Sequence, residues 1–101
     1  MFLAMNRFRV PQDREQEFID IWAKRESYLD KEPGFVSFNL LRGESEGGTT
    51  LFASHSQWRD ELSFVNWTKS ESFRKAHARA GKTAPGLYEG PPQLELFESV
   101  L

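Results

Sequence analysis

The feature that most constrains this chain is a hydrophobic period that switches from two residues to three or four, and then does so again. Phe2, Ala4, Asn6 and Phe8 alternate with Leu3, Met5, Arg7 and Arg9, so residues 2–9 read as a strand with one buried face. After Val10-Pro11, apolar residues recur at helical steps in Phe18, Ile21, Trp22, Arg25, Tyr28 and Leu29, the stripe of an amphipathic helix. Pro11 suits its start, Asp13, Glu15 and Glu17 suit the positive end of its dipole, and Pro33-Gly34 ends it. Residues 35–42 and 50–58 are rich in aromatic and apolar side chains and flank the polar, glycine-rich stretch 43–48, so they read as a hairpin. Helical spacing returns in Leu62, Phe64, Val65 and Trp67; Ser70 and Glu71 mark a cap or kink before a second segment holding Phe73, Ala76, His77 and Ala80, and Gly81 suits its end. A loop over 82–92 and a strand over 94–101 follow.

The order strand, helix, strand, strand, helix, strand predicts an α+β, ferredoxin-like βαββαβ sheet with both helices on one face. With 101 residues, no composition shift and no linker, a single domain over residues 1–101 is expected. Phe35 opposes Phe38 in parity and Phe52 opposes Leu51, so neither face of the sheet is expected to be fully wet. A homodimer packing sheet on sheet, a barrel-like pairing of two α+β subunits, would cover the second face.

Composition removes several function classes. Hydrophobic residues make up 39% and charged residues 28%, with both signs mixed, which predicts a folded chain rather than a disordered one. A net charge of −2, a pI near 5.7 and no cationic cluster argue against nucleic acid as a partner. Zero cysteines exclude a disulfide framework, a thiolate-held iron–sulfur cluster and a sulfur-based zinc site. The first residues lack a basic leader, and no later run is long enough to span a bilayer; a cytoplasmic location without membrane insertion is the expectation. There is no phosphate-cradling glycine loop, no nucleophile elbow and no acidic cluster beside His55 or His77, so hydrolytic chemistry finds no support.

Five positions could carry chemistry. On the expected helix, His77 has Phe73, Ala76 and Ala80 as neighbours at or near its face. Small alanines leave room for a flat, bulky partner, and a neutral imidazole is a usual axial ligand of haem iron; a half-buried histidine at a helix end is the alternative. His55, inside a strand with Leu51 and Ala53 on its parity, reads as a structural or surface residue. Asn6 lies on the apolar parity of its strand, where an unpaired carboxamide costs about 1–3 kcal/mol, so its partner is either a neighbouring backbone group or a bound ligand. Trp67 reads as a core residue from its spacing alone. Trp22 and Arg25, three apart on the first helix, place an aromatic wall beside a guanidinium, which suits a ligand with an apolar body and carboxylates as well as it suits an ordinary helix face.

The run Phe64-Val65-Asn66-Trp67, then Ser70, Phe73 and Ala76-His77, with Asn6 on the first strand, Pro33-Gly34-Phe35 followed by Leu40-Leu41-Arg42, and Trp22-Ala23-Lys24-Arg25, resembles the antibiotic biosynthesis monooxygenase superfamily and, within it, the haem-degrading monooxygenases of the IsdG type. The resemblance covers nearly the whole chain. It implies a dimer of ferredoxin-like subunits in which haem is both substrate and oxygen activator, with dioxygen and an external reductant consumed and iron and an opened tetrapyrrole released. On this reading His77 is the proximal iron ligand, Asn6 donates to the distal dioxygen-derived ligand, and Trp67 presses on the porphyrin plane and favours its ruffling toward attack at a meso carbon. Arg25 pairs with a propionate or shapes the distal pocket, and Trp22 walls it. Trp22 is bulkier than the phenylalanine expected there, which bears on pocket width and cleavage product. Two alternatives stand beside this one: a cofactor-independent monooxygenase of an aromatic or quinol substrate, and a haem-binding or trafficking protein that performs no turnover.

Overall fold

The computed structural model describes residues 1–24, 29–71, 73–74 and 93–101. Within them the chain forms β1 (Phe2–Pro11), α1 (Glu15–Lys24), β2 (Phe35–Glu46), β3 (Thr49–Trp58), α2 (Glu61–Thr68) and β4 (Gln93–Glu98), with 3-10 turns at Gln12–Arg14 and Leu29–Lys31. The sheet runs β2-β3-β1-β4 with every neighbouring pair antiparallel, the α+β ferredoxin-like arrangement that the order of periods predicts.

Residues directly opposite in an antiparallel pair share a face, so the register decides what the helices cover. Phe2 stands opposite Trp58, Ala4 opposite Ser56, Asn6 opposite Ser54 and Phe8 opposite Phe52. Both helices pack on this face: Phe18 of α1 lies 5.4 Å from Phe8 and 5.0 Å from Phe52, and Phe64 of α2 lies 5.6 Å from Phe2 and 5.9 Å from Trp58, ring centre to ring centre. The result is two apolar clusters. One, under α1, holds Phe8, Val10, Phe18 and Phe52; the other, under α2, is built on Phe2, Leu29, Trp58, Phe64 and Trp67. Asn6 falls between Ala4 of one cluster and Phe8 of the other, at the seam.

Three local features depart from the sequence pattern. First, β2 continues to Glu46, and the hairpin turns only at Gly47 and Gly48, whose φ values of 62° and 84° are open to glycine at little cost. The polar stretch expected to be a loop is thus mostly strand, its pairing carried past an irregularity between Arg42 and Ser45. Second, the β2–β3 register also shifts between Phe35 and Ser37. One extra residue reverses the parity beyond it, so Phe35 and Phe38, expected on opposite faces, share the helix-covered one. Third, Pro11 ends β1 and precedes a 3-10 turn, so α1 starts at Glu15. Thr50, fully buried, donates to the Glu15 carboxylate at 2.8 Å, and Arg42 reaches the same group at 3.2 Å, tying the helix start to the hairpin. At the other end β4 stops at Glu98, short of the expected Leu101.

The opposite face of the sheet carries no helix among the described residues. It presents Leu3, Met5, Leu51 and Ala53, all half-buried, and the exposed Leu41 and Phe97.

Candidate active site

The seam between the two clusters opens into a largely apolar cavity of about 210 Å³. Its floor is the helix-side face of the sheet. The central row across the four strands is Leu40, Ser54, Asn6 and Leu94, and the row beside it is Phe38, Ser56, Ala4 and Leu96. Trp22 of α1 forms one wall, Phe64, Trp67 and Thr68 of α2 another, with Leu29 and Phe73 contributing. Among the described residues no charged side chain lines it, so a bound molecule meets aromatic faces and a few neutral polar groups.

Asn6, half-buried, faces this space as its strand parity predicts. Trp67 lines it too, but it is also core: it packs 4.8 Å from Phe73, edge on, and 5.4 Å from Trp58. Trp22 stacks on Phe38 with ring centres 5.7 Å apart and planes 16° from parallel, so the shift in β2 register is what gives this wall its second ring. Asn6, Trp22 and Trp67, far apart in sequence, therefore meet at one cavity. Arg25 and His77 lie outside the described residues. His55 is not part of the site: it pairs with Met5 and Asn39 on the helix-free face.

Local capping sets the α2 wall. Asp60 is the N-cap, accepting from the Ser63 hydroxyl at 2.7 Å and the Ser63 N–H at 2.8 Å. These bonds, the hydroxyl's first, hold the Asp60 carboxyl below the usual carboxylate range. Ser70 acts as the expected cap after α2: its hydroxyl donates to the Trp67 carbonyl at 2.6 Å and accepts from the Phe73 N–H at 3.2 Å. Trp67 and Phe73 are thereby held against each other across the turn that leads toward His77.

Sequence reasoning missed Phe38, Leu29 and the two serines of β3. Ser54 and Ser56 alternate with Phe52 and Trp58 on one parity, a signal that their face is the buried one, but only the register shows that Ser54 stands opposite Asn6.

A model of the antibiotic biosynthesis monooxygenase family matches residues 1–79. A haem-degrading monooxygenase from Shouchella clausii is 27% identical over 70 residues, 69% of this chain and 64% of that protein's length, so the match spans less than two thirds of that relative. The haem degrader MhuD from Mycobacterium tuberculosis, solved with two haems bound in its active site, is similar with a TM-score of 0.73 and 28% identity, over 100% of this chain and 97% of that one. SnoaB from Streptomyces nogalater, a cofactor-independent oxygenase, is similar in fold, with a TM-score of 0.67 and 24% identity over 99% of this chain and 93% of its own.

Proposed function

The chain belongs to the antibiotic biosynthesis monooxygenase family, and from that premise we propose that it is a haem-degrading monooxygenase, binding haem as substrate and oxygen activator and opening the porphyrin ring to release iron. The observation that carries this reading is the cavity, whose aromatic walls, Trp22 with Phe38 on one side and Trp67 with Phe64 on the other, face a floor bearing one carboxamide. A porphyrin is flat and apolar across its faces and requires an axial ligand to iron with a hydrogen-bond donor on the other side, and these walls and Asn6 suit it. The haem degraders of Shouchella clausii and Mycobacterium tuberculosis, at 27% and 28% identity, support the same substrate.

In this reading His77 ligates iron, Asn6 donates to the distal dioxygen-derived ligand, and Trp67 presses on the macrocycle so that it ruffles toward oxidation at a meso carbon. Trp22 walls the pocket and Arg25 pairs with a propionate. Electrons come from an external reductant, and the protein contributes geometry and electrostatics. Residues 1–101 act as one domain in the cytoplasm, and two copies pack sheet on sheet.

Titration with haem, followed by reductant and oxygen in the presence of catalase, tests the proposal. The expected result is a Soret shift lost in His77→Ala, then loss of the band with iron release and an opened tetrapyrrole by mass spectrometry. Asn6→Ala is expected to retain binding while degrading haem about 100- to 1,000-fold more slowly, the usual cost of losing one donor at a reacting oxygen. Bound haem that persists under turnover conditions would make the protein a carrier. Absence of any His77-dependent spectral change would leave the cofactor-independent oxidation of an aromatic substrate in its place.

A further inference from the structure

We propose that Ser54 is a second polar group of the distal pocket, forming with Asn6 a two-point seat for one small oxygen-bearing guest, the haem-bound diatomic ligand or a water beside it; the inference rests on the haem-degrading reading above. Four lining residues carry a hydroxyl or carboxamide: Asn6, Ser54, Ser56 and Thr68. Two are committed to the framework. Ser56 accepts from the Trp58 indole N–H at 3.0 Å and lies 3.4 Å from the Ala4 carbonyl as donor, and Thr68 donates to the Val65 carbonyl at 2.7 Å. Among the described residues, the side chains of Asn6 and Ser54 have no such partner, although Ser54 is only 7% exposed.

Position makes the pair specific. Asn6 and Ser54 are direct cross-strand partners in the centre of the sheet, flanked by Leu94 on one side and Leu40 on the other. Neither leucine can hydrogen-bond, so the polar capacity of the floor is concentrated at one spot in an otherwise apolar row. Side chains opposed in this way start from Cβ atoms about 5 Å apart, a spacing that lets two short polar groups grip a single atom between them. The carboxamide offers N–H donors, and the hydroxyl can donate or accept. Neither group is tied to the framework among the described residues, so a guest that arrives at this spot can pair with both.

The test uses carbon monoxide on the reduced haem complex, because a donor to the bound oxygen atom lowers the C–O stretching frequency whether or not the enzyme turns over. Ser54→Val and Ser54→Thr have nearly the same shape and differ in the hydroxyl. Ser54→Ala and Ser54→Val are expected to raise the frequency, in the direction of Asn6→Ala, and to slow haem degradation about 3- to 10-fold, whereas Ser54→Thr stays near the parent on both. A thermal midpoint close to the parent's is expected for Ser54→Ala, since the hydroxyl makes no framework bond among the described residues; a marked fall would assign Ser54 to the framework instead. If the parent binds haem and the frequency is unchanged in all three variants, or shifts equally in Thr and Val, the inference is overturned and the haem reading stands. If the parent gives no Soret response, both fall together.

Discussion

Trp67 carries two demands at once, and the residue scale is where they conflict. Its indole lines the cavity, yet it is 9% exposed and packed against Trp58, Phe64 and Phe73. Truncating a buried tryptophan to alanine costs about 3–5 kcal/mol, against total stabilities of about 5–15 kcal/mol. Trp67→Ala is therefore expected to lower the urea midpoint sharply, and Trp67→Phe to remain folded while changing the rate or product of haem degradation. Equal midpoints for parent and Trp67→Ala would remove Trp67 from the core. Helical spacing places Trp67 in the core, as its packing shows; a contact with substrate is what the family resemblance implies. Asn6 was legible from parity alone, because a carboxamide amid Phe2, Ala4 and Phe8 must find a partner. Ser54 was not, because a serine on a strand looks the same whether its neighbour across the ladder is polar or apolar.

Elements are set by short-range chemistry with decisive exceptions. Asp60 starts α2 because its carboxylate takes the Ser63 hydroxyl and N–H, and α2 in turn presents Phe64 and Trp67. Its pKa is depressed in the folded state, so the stabilisation it contributes is present above the ordinary aspartate range and is lost as pH falls through the depressed value. Asp60→Asn can still cap but does not titrate. The parent is expected to melt above Asp60→Asn at neutral pH, with the gap closing under strong acid, while Asp60→Ala melts about 5 °C lower at neutral pH. A gap between parent and Asp60→Asn that is constant across pH would refute the role of the charge. The hairpin shows where local pattern fails: period-two reasoning put Phe35 and Phe38 on opposite faces, but the register shift between Phe35 and Ser37 turns Phe38 onto Trp22 and builds a wall of the cavity.

At the scale of the whole molecule, the sheet has one face covered by helices and one that is not, among the described residues. Leu3, Met5, Leu51 and Ala53, with Leu41 and Phe97 exposed beside them, make the second face apolar enough to associate. Light scattering is expected to give twice the 11.7 kDa chain mass, and Phe97→Glu, at a position 45% exposed, is expected to shift the protein toward monomer without unfolding it. A parent that runs as a monomer at micromolar concentration would defeat the sheet-on-sheet dimer. The α+β order and most of the core-facing residues were legible in the chain, because periodicity and turn chemistry act over a few neighbours. Which residues meet was not legible there: that Asn6 and Ser54 share the centre of the floor, that Phe38 joins Trp22, and that two apolar clusters leave a cavity between them. Register is the reason. It depends on where a hairpin turns and where one residue is added to a strand, and a one-residue difference, nearly invisible in the local pattern, reverses every face beyond it.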